Sequence, residues 1–286
     1  MGSGDFERAW QITDALESSR RAGVCQPGPH HLLWDGTPIE GRRVLVRCRH
    51  GLGDTIQFLR YVPALLRVAG DVYVDVQPAL RALVNGMQGF RPFGAELPEV
   101  EIESMELPYY FRTVAETIPG AVPYLPALEI SSAYPPFTRA DGHYKVGLIW
   151  SSGGWDCSRS IPPDCLAPLQ AAEGVQFYSL QQGAASRDPI PLSVVALSPR
   201  TEEVRAAAAA MLEMDLVITV DTMTAHLAGA LGRPVWTLLP YRADWRWMRG
   251  RDDSPWYPTM RLFRQRSPGN WHEAIASVVS ALGSSR

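Results

Sequence analysis

At 286 residues, with 46% hydrophobic and 20% charged side chains, the chain is long enough for one large or two ordinary domains around a sizeable core. A formal net charge of -3 offers no overall positive field for nucleic acid or an anionic membrane. No run of about 18 apolar residues occurs, and the start MGSGDFERAW lacks the apolar stretch of a signal peptide, so no integral membrane segment is expected.

The first predicted element is an amphipathic helix from Asp5 to Arg21, with Phe6, Ala9 and Trp10 near one face. Residues 25–41 read as a loop from their proline, glycine and histidine content. RRVLVRC (42–48) then reads as a buried strand, and Thr55 to Val68 as a helix that Pro63 kinks or shortens. DVYVDVQ (71–77) is the next strand, followed by a helix after Pro78. Strand, helix, strand, helix implies a parallel sheet with right-handed crossovers. Prolines 92, 98, 108, 119, 123, 126, 135 and 136 leave only short elements between 88 and 142.

A second series begins at YKVGLIWSSGG (144–154), with further strands at 175–183, 192–199, 215–221 and, last, 233–239. Helices are expected over Glu202–Met214, Met223–Leu231 and Trp271–Leu282. The chain thus divides into a helical segment and loop (1–41), a Rossmann-like domain (42–125), a linker (126–142), a second Rossmann-like domain (143–270) and a closing helix (271–286). The fold class is α/β, two doubly wound parallel sheets facing a cleft.

Several stretches could carry chemistry. In RHGLGDTIQFLRYVP, the chain leaves a strand through Gly51-Leu52-Gly53 and sets Asp54 in the first turn of a helix, followed by Thr55. An N-terminal Asp caps a helix; a glycine-rich turn there also brings backbone to a ligand. VITVDTMTAHLAGA places Asp221, Thr222, Met223 and Thr224 at another strand-to-helix turn, whose free N–H groups and dipole suit a diphosphate or a simple cap. His226 falls just past one turn into that helix, either as a core residue or as part of the site. WSSGGWDCSRSIP contributes Ser152 and one cation, Arg159, which is either solvated or a phosphate clamp.

Other chemistries lack their residues. The four cysteines (Cys25, Cys48, Cys157, Cys165) never form CxxC and read as reduced structural thiols in the cytoplasm. The six histidines show no metal-ligand spacing, and His30 and His31 read as solvated, so no metal is assigned. There is no GxSxG, Walker A or HExxH. A dinucleotide fingerprint would need glycine where Ile56 stands. In DWRWMRGRDDSPWY (244–257) the aspartates balance the arginines, which favours a flap packing one domain on the other over a single-stranded nucleic acid site.

GLGDTIQFLRYVP, SRSIP and DTMTAHLAGALGRPVW, in this order and spacing, resemble family-nine glycosyltransferases, the ADP-heptose:lipopolysaccharide heptosyltransferase group. DFERAW, LWDGTPIEGRRVLV and the tail from 244 resemble a bacterial branch in which such a domain follows tetratricopeptide repeats; the first helix resembles the end of that array. The resemblance implies a GT-B fold and inverting, metal-independent transfer from a nucleotide-diphosphate sugar, with no cofactor, to a hydroxyl of a glycan, lipid-linked glycan or protein. It implies a cytoplasmic protein, with the inner face of the membrane left open.

Carried over, Asp54 matches the general base and Arg159 the cation that neutralises the leaving diphosphate. Asp221, Thr222 and His226 match the motif at donor sugar and phosphates; Gln182 and residues 199–203 match the ribose and base side. Gly51, Gly53, Thr55, Ser152, Met223 and Thr224 complete the expected substrate contacts. The chemistry is consistent, because inverting transfer needs a base on one wall and positive potential on the other. Arg49-His50 stand where the branch often has Glu-Gln, which favours the alternative of a non-catalytic module that binds a nucleotide sugar or a partner protein. A nucleotide-sugar epimerase is the third reading.

Overall fold

The computed structural model describes residues 2–22, 32–87, 91–94, 97–138, 142–154 and 156–284. Cys25, His30, His31 and much of the loop expected over 25–41 lie outside them. Helix α1 (Phe6–Arg21) opens on Asp5, whose carboxylate accepts from Arg8 N at 3.0 Å. It buries Phe6 and Trp10, and the indole N–H of Trp10 donates to Thr113 O at 2.7 Å.

Strand β1 (Arg43–Arg47) follows, then helix α2 (Leu52–Phe58), which tightens into a 3-10 turn (Leu59–Tyr61) before α3 (Val62–Leu65). The long helix expected to Val68 is thus three short pieces, with Pro63 at the start of α3, where its missing N–H costs nothing. Strand β2 (Asp71–Asp75) and α4 (Pro78–Val84) come next. The proline-dense stretch supplies β3 (Val100–Glu103) and α5 (Leu107–Tyr110). β2 and β3 flank β1, all parallel, with Val44 opposite both Val72 and Val100.

Residues 126–138, expected to link two domains, are built into the protein. They hold α6 (Ala127–Ser131), whose Ile130 is fully buried, and Glu213 accepts from the N–H groups of Phe137 and Thr138 at 2.8 Å each. The second sheet comprises β4 (Tyr144–Ile149), β5 (Val175–Ser179), β6 (Val194–Ala196), β7 (Leu216–Val220), β8 (Val235–Leu239) and β9 (Met260–Arg264). Helix α7 (Val204–Leu212) precedes β7, α8 (Met223–Ala230) lies between β7 and β8, and α9 (Trp271–Ser284) closes the described chain.

The strand order is β6-β5-β4-β7-β8-β9, all parallel. The chain starts mid-sheet at β4, winds outward to β6, then crosses back to β7. This doubly wound order puts its reversal between β4 and β7, where a crevice opens beyond the strands' C-terminal ends. β8 is therefore not the last strand: β9 pairs along its outer edge.

One apolar cluster joins Val44, Val46 and Ile56 of the first unit to Ala208, Ala225 and Leu227 of the second. Trp247, Trp256 and Tyr257, from the 244–257 flap, are fully buried in the same cluster. A second cluster packs α9 through Trp271, Ile275 and Val278 against Leu148, Val220 and Leu238. Among the described residues no helix is long and apolar enough to cross a membrane.

Candidate functional site

The crevice between β4 and β7 gathers most of the marked residues. At the end of β7, all five strand residues are buried and the chain turns at Asp221 into α8. Thr222 is the N-cap, its hydroxyl accepting from Thr224 N at 3.3 Å. Thr224 Oγ1 lies 2.6 Å from Thr222 Oγ1 and 2.8 Å from Thr219 Oγ1, a relay running from the buried strand to the half-buried helix end. The first turn therefore presents hydroxyls and N–H groups with the positive dipole end behind them.

Across the switch point, Gln181 organises the exit of β4. Its Oε1 accepts from Trp150 N at 3.1 Å and Ser151 N at 2.9 Å, and its Nε2 donates to Ser151 O at 3.2 Å. Ser152 N donates to Ser160 Oγ at 3.1 Å, which folds the loop back on itself. That fold aims Arg159 at β7: Nη1 donates to Asp221 O at 3.4 Å and stands 3.6 Å from Asp221 Oδ2. The second distance suits an ion pair and is too long for a hydrogen bond. Asp221 is 3% exposed, and its Oδ2 has no hydrogen-bond partner among the described residues. Burial raises its pKa, while the Arg159 charge opposes the shift.

Gln182 turns the other way from Gln181 and donates to Thr201 Oγ1 at 2.6 Å. The structure thus joins Gln182 to the 199–203 loop, the two pieces expected together on the ribose and base side. Gln181 was missed; its only sequence signal is a glutamine pair closing an apolar strand.

On the other wall the residues are occupied differently from the expectation. Asp54 sits in the first turn of α2 and accepts from Gly51 N at 3.0 Å, a cap for its own helix. Its second oxygen pairs with Arg246 of the flap, which also donates to Gln57 Oε1 at 2.7 Å and Asp244 Oδ1 at 2.8 Å. Thr55 is fully buried and donates to Gln77 Oε1 at 3.0 Å, so its hydroxyl faces the interior of the first unit.

Gly53 lies against α8: a Cβ there would stand 2.8 Å from His226 Cδ2 and 3.3 Å from Met223 Cα. Its bareness lets two helices meet, a use the sequence could not separate from closeness to a ligand. His226 is 5% exposed, stacks on Trp247 at 5.3 Å between centroids and shares a 3.0 Å hydrogen bond with Tyr257 OH. Burial, then the charges of Arg246, Arg60 and Arg159, hold its pKa well below the usual histidine value. It is a neutral interface residue that steadies the helix behind the site.

Among the described residues no three His, Cys, Asp or Glu side chains gather to hold a metal ion. A glycosyl transferase family 9 protein of Veillonella parvula superposes with a TM-score of 0.64 at 11% identity, covering 87% of this chain and 98% of the other. Heptosyltransferase WaaC of E. coli, solved with ADP-2-deoxy-2-fluoro heptose, gives 0.56 at 13% identity, covering 85% and 100%. The fold is GT-B-like.

In sequence, residues 178–264 match Glycosyltransferase family 9 (heptosyltransferase). That span holds Gln182 and the 221–226 motif; Asp54, Ser152 and Arg159 lie outside it. Protein FlbA of Caulobacter vibrioides is 25% identical over 317 residues, covering 95% of this chain. The chain spans 50% of FlbA.

Proposed function

We propose that this chain binds a nucleoside-diphosphate sugar at the β4/β7 switch point of its GT-B-like fold and transfers the sugar, with inversion and without a metal, to an acceptor hydroxyl. One observation carries the reading: Arg159 donates to Asp221 O beside the Thr222-capped start of α8, so a cation and a helix N-terminus converge at one place. In the proposed step the acceptor oxygen attacks the anomeric carbon as its bond to the diphosphate breaks. Arg159, Thr222, Thr224 and the first N–H groups of α8 take up the charge on the leaving nucleotide. Gln182 and the 199–203 loop would hold ribose and base, and Ser152 and Asp221 the phosphate and sugar side.

Asp54 is the proposed base, receiving the acceptor proton. Its pair with Arg246 must open for that, because Arg246 and Gly51 N occupy its two oxygens. The same pair favours the second reading, a module that binds a nucleotide sugar or partner protein without turnover. Glycan, lipid-linked glycan and protein acceptors, cytoplasmic residence and a tetratricopeptide array before α1 belong to the proposal. Free thiols at Cys48, Cys157 and Cys165 fit a reducing compartment.

A thermal-shift panel of ADP-, UDP-, GDP- and CMP-ligands tests the seat, with ADP first because WaaC was solved with an ADP sugar. A ligand at about 100 times its dissociation constant adds about 2.7 kcal/mol, and Arg159→Ala and Thr222→Ala should each abolish the shift. Asp54→Asn should keep the shift and lose transfer; a shift with no transfer by the wild-type chain to any acceptor establishes the module instead. No shift with any nucleotide would sink the transferase and leave the partner-protein module.

A further inference from the structure

We infer that Arg246 and Trp247, neighbours in the flap, are positioning residues through which an occupied donor seat releases Asp54. The inference rests on the donor seat proposed above and names the regulation of that same site.

The flap meets both walls within one turn. Trp245–Trp247 form a 3-10 turn capped by Asp244, whose Oδ1 accepts from Arg246 N at 3.0 Å. Arg246 reaches toward the first unit and holds Asp54 together with Gln57 Oε1. Trp247 reaches the other way. It is fully buried, stacks on His226 of α8 and sets its indole N–H against the Asp221 carboxylate, favouring the charged form. One peptide bond therefore separates the residue that holds the proposed base from the residue that faces the donor loop.

The contact with Asp221 stops short of a hydrogen bond. Trp247 Nε1 and Asp221 Oδ2 both lack a partner among the described residues, as does Gln57 Nε2 beside Arg246. Buried polar atoms are rarely left so, and three along one turn mark an arrangement with bonds still to make. The backbone holds strain as well. Met248, the next residue, has φ 49 and ψ 180, a region that suits glycine and is costly for methionine. Trp256 Nε1, donating to Arg246 O at 3.0 Å, and Arg264, donating to Trp247 O, keep it there.

A diphosphate supplies the push. Arg159 Nη1 stands 3.6 Å from Asp221 Oδ2, and an anion in the seat draws that guanidinium to itself. Asp221, buried and parted from its cation, then closes on the indole N–H that faces it. The turn rotates with Trp247 and Met248 relaxes. Arg246 leaves Asp54 without becoming a lone buried charge, because Gln57 Oε1 at 2.7 Å and Asp244 Oδ1 at 2.8 Å stay with it. What separates the two states is the Arg159–Asp221 pair, which only an empty seat keeps.

NMR on the full chain tests this, with ADP as the first probe and UDP, GDP and CMP after it. Asp54→Asn and Trp247→Phe identify the Asp54 carboxyl carbon and the Trp247 indole N–H signals. The nucleotide that raises Tm should move the indole proton downfield, as a hydrogen bond forms, and displace the Asp54 signal. In Trp247→Phe the same nucleotide should still raise Tm but leave the Asp54 signal where it was. Arg246→Gln should put that signal, with no nucleotide added, at its nucleotide-bound position. A rise in Tm for the wild-type chain with an unmoved Asp54 signal overturns the inference and leaves the donor seat standing. An equal Asp54 response in Trp247→Phe does the same. No rise in Tm with any of the four removes the donor reading, and the inference with it.

Discussion

Two buried ionisable groups, five residues apart, set opposite pH dependences. His226 is held neutral, so below about pH 6.5 the unfolded chain gains a proton that the folded chain refuses. Its contribution is complete above that value and is lost as pH falls toward the lowered folded pKa. Asp221 behaves in reverse. Its folded pKa is raised, so just above the ordinary value of 3.8 the folded chain keeps a proton that the unfolded chain has released, and stability falls as pH rises through that window. Denaturant titrations from about pH 5 to 7 should show stability rising with pH by up to about 1.4 kcal/mol per unit for one proton. His226→Gln should flatten that slope, and an unchanged slope would assign it elsewhere. The sequence marked both residues, but a helical histidine near a strand end reads alike whether it faces ligand or tryptophan. Only the Trp247 and Tyr257 contacts, more than 20 residues downstream, separate the two.

Helix α2 shows how far an element could be foreseen. Its start after a glycine turn and its carboxylate in the first turn were legible, because capping is local chemistry between Gly51 and Asp54. Its meeting with α8 was not, since nothing local encodes a partner about 170 residues away. Likewise β3 is four residues within a proline-dense stretch, and β9 alternates buried Met260 with exposed Arg261 as an edge strand does, so neither carries the apolar run that announced β7. Gly53→Ala tests the helix contact. Alanine is worth up to about 1 kcal/mol in helix propensity, but its Cβ would press on a buried ring and on backbone, where overpacking costs about 1–3 kcal/mol. A net loss in urea unfolding is expected. Gly51→Ala, whose nearest neighbour is the Asp54 carboxylate at 3.1 Å, should cost less.

At the scale of the molecule, two sheets share one core. Arg60 shows how tightly: 3% exposed, it donates to Gln57 O at 2.7 Å, Pro119 O at 3.2 Å and Tyr124 OH at 3.2 Å, and to Trp256 O. Its guanidinium lies 4.5 Å from the Tyr257 ring centroid. Segments from the first unit, the 119–124 stretch and the flap thus meet on one cation. Calorimetry should show a single transition with matching calorimetric and van't Hoff enthalpies; two resolved transitions would mean the shared cluster contributes little. Two parallel sheets were legible because buried strands followed by capped helices repeat along the chain. Their fusion was not, since it depends on the 244–257 flap folding back over α2.

The bare flank of Gly53 also has a consequence for inheritance. Wherever two surfaces meet with no space for a methyl group, neither can drift alone. A hybrid joining the first 142 residues of one protein to the remainder of another would need α2, α8 and the flap from a single parent. A hybrid that takes α2 from one parent and α8 from the other should therefore be less stable than either parent.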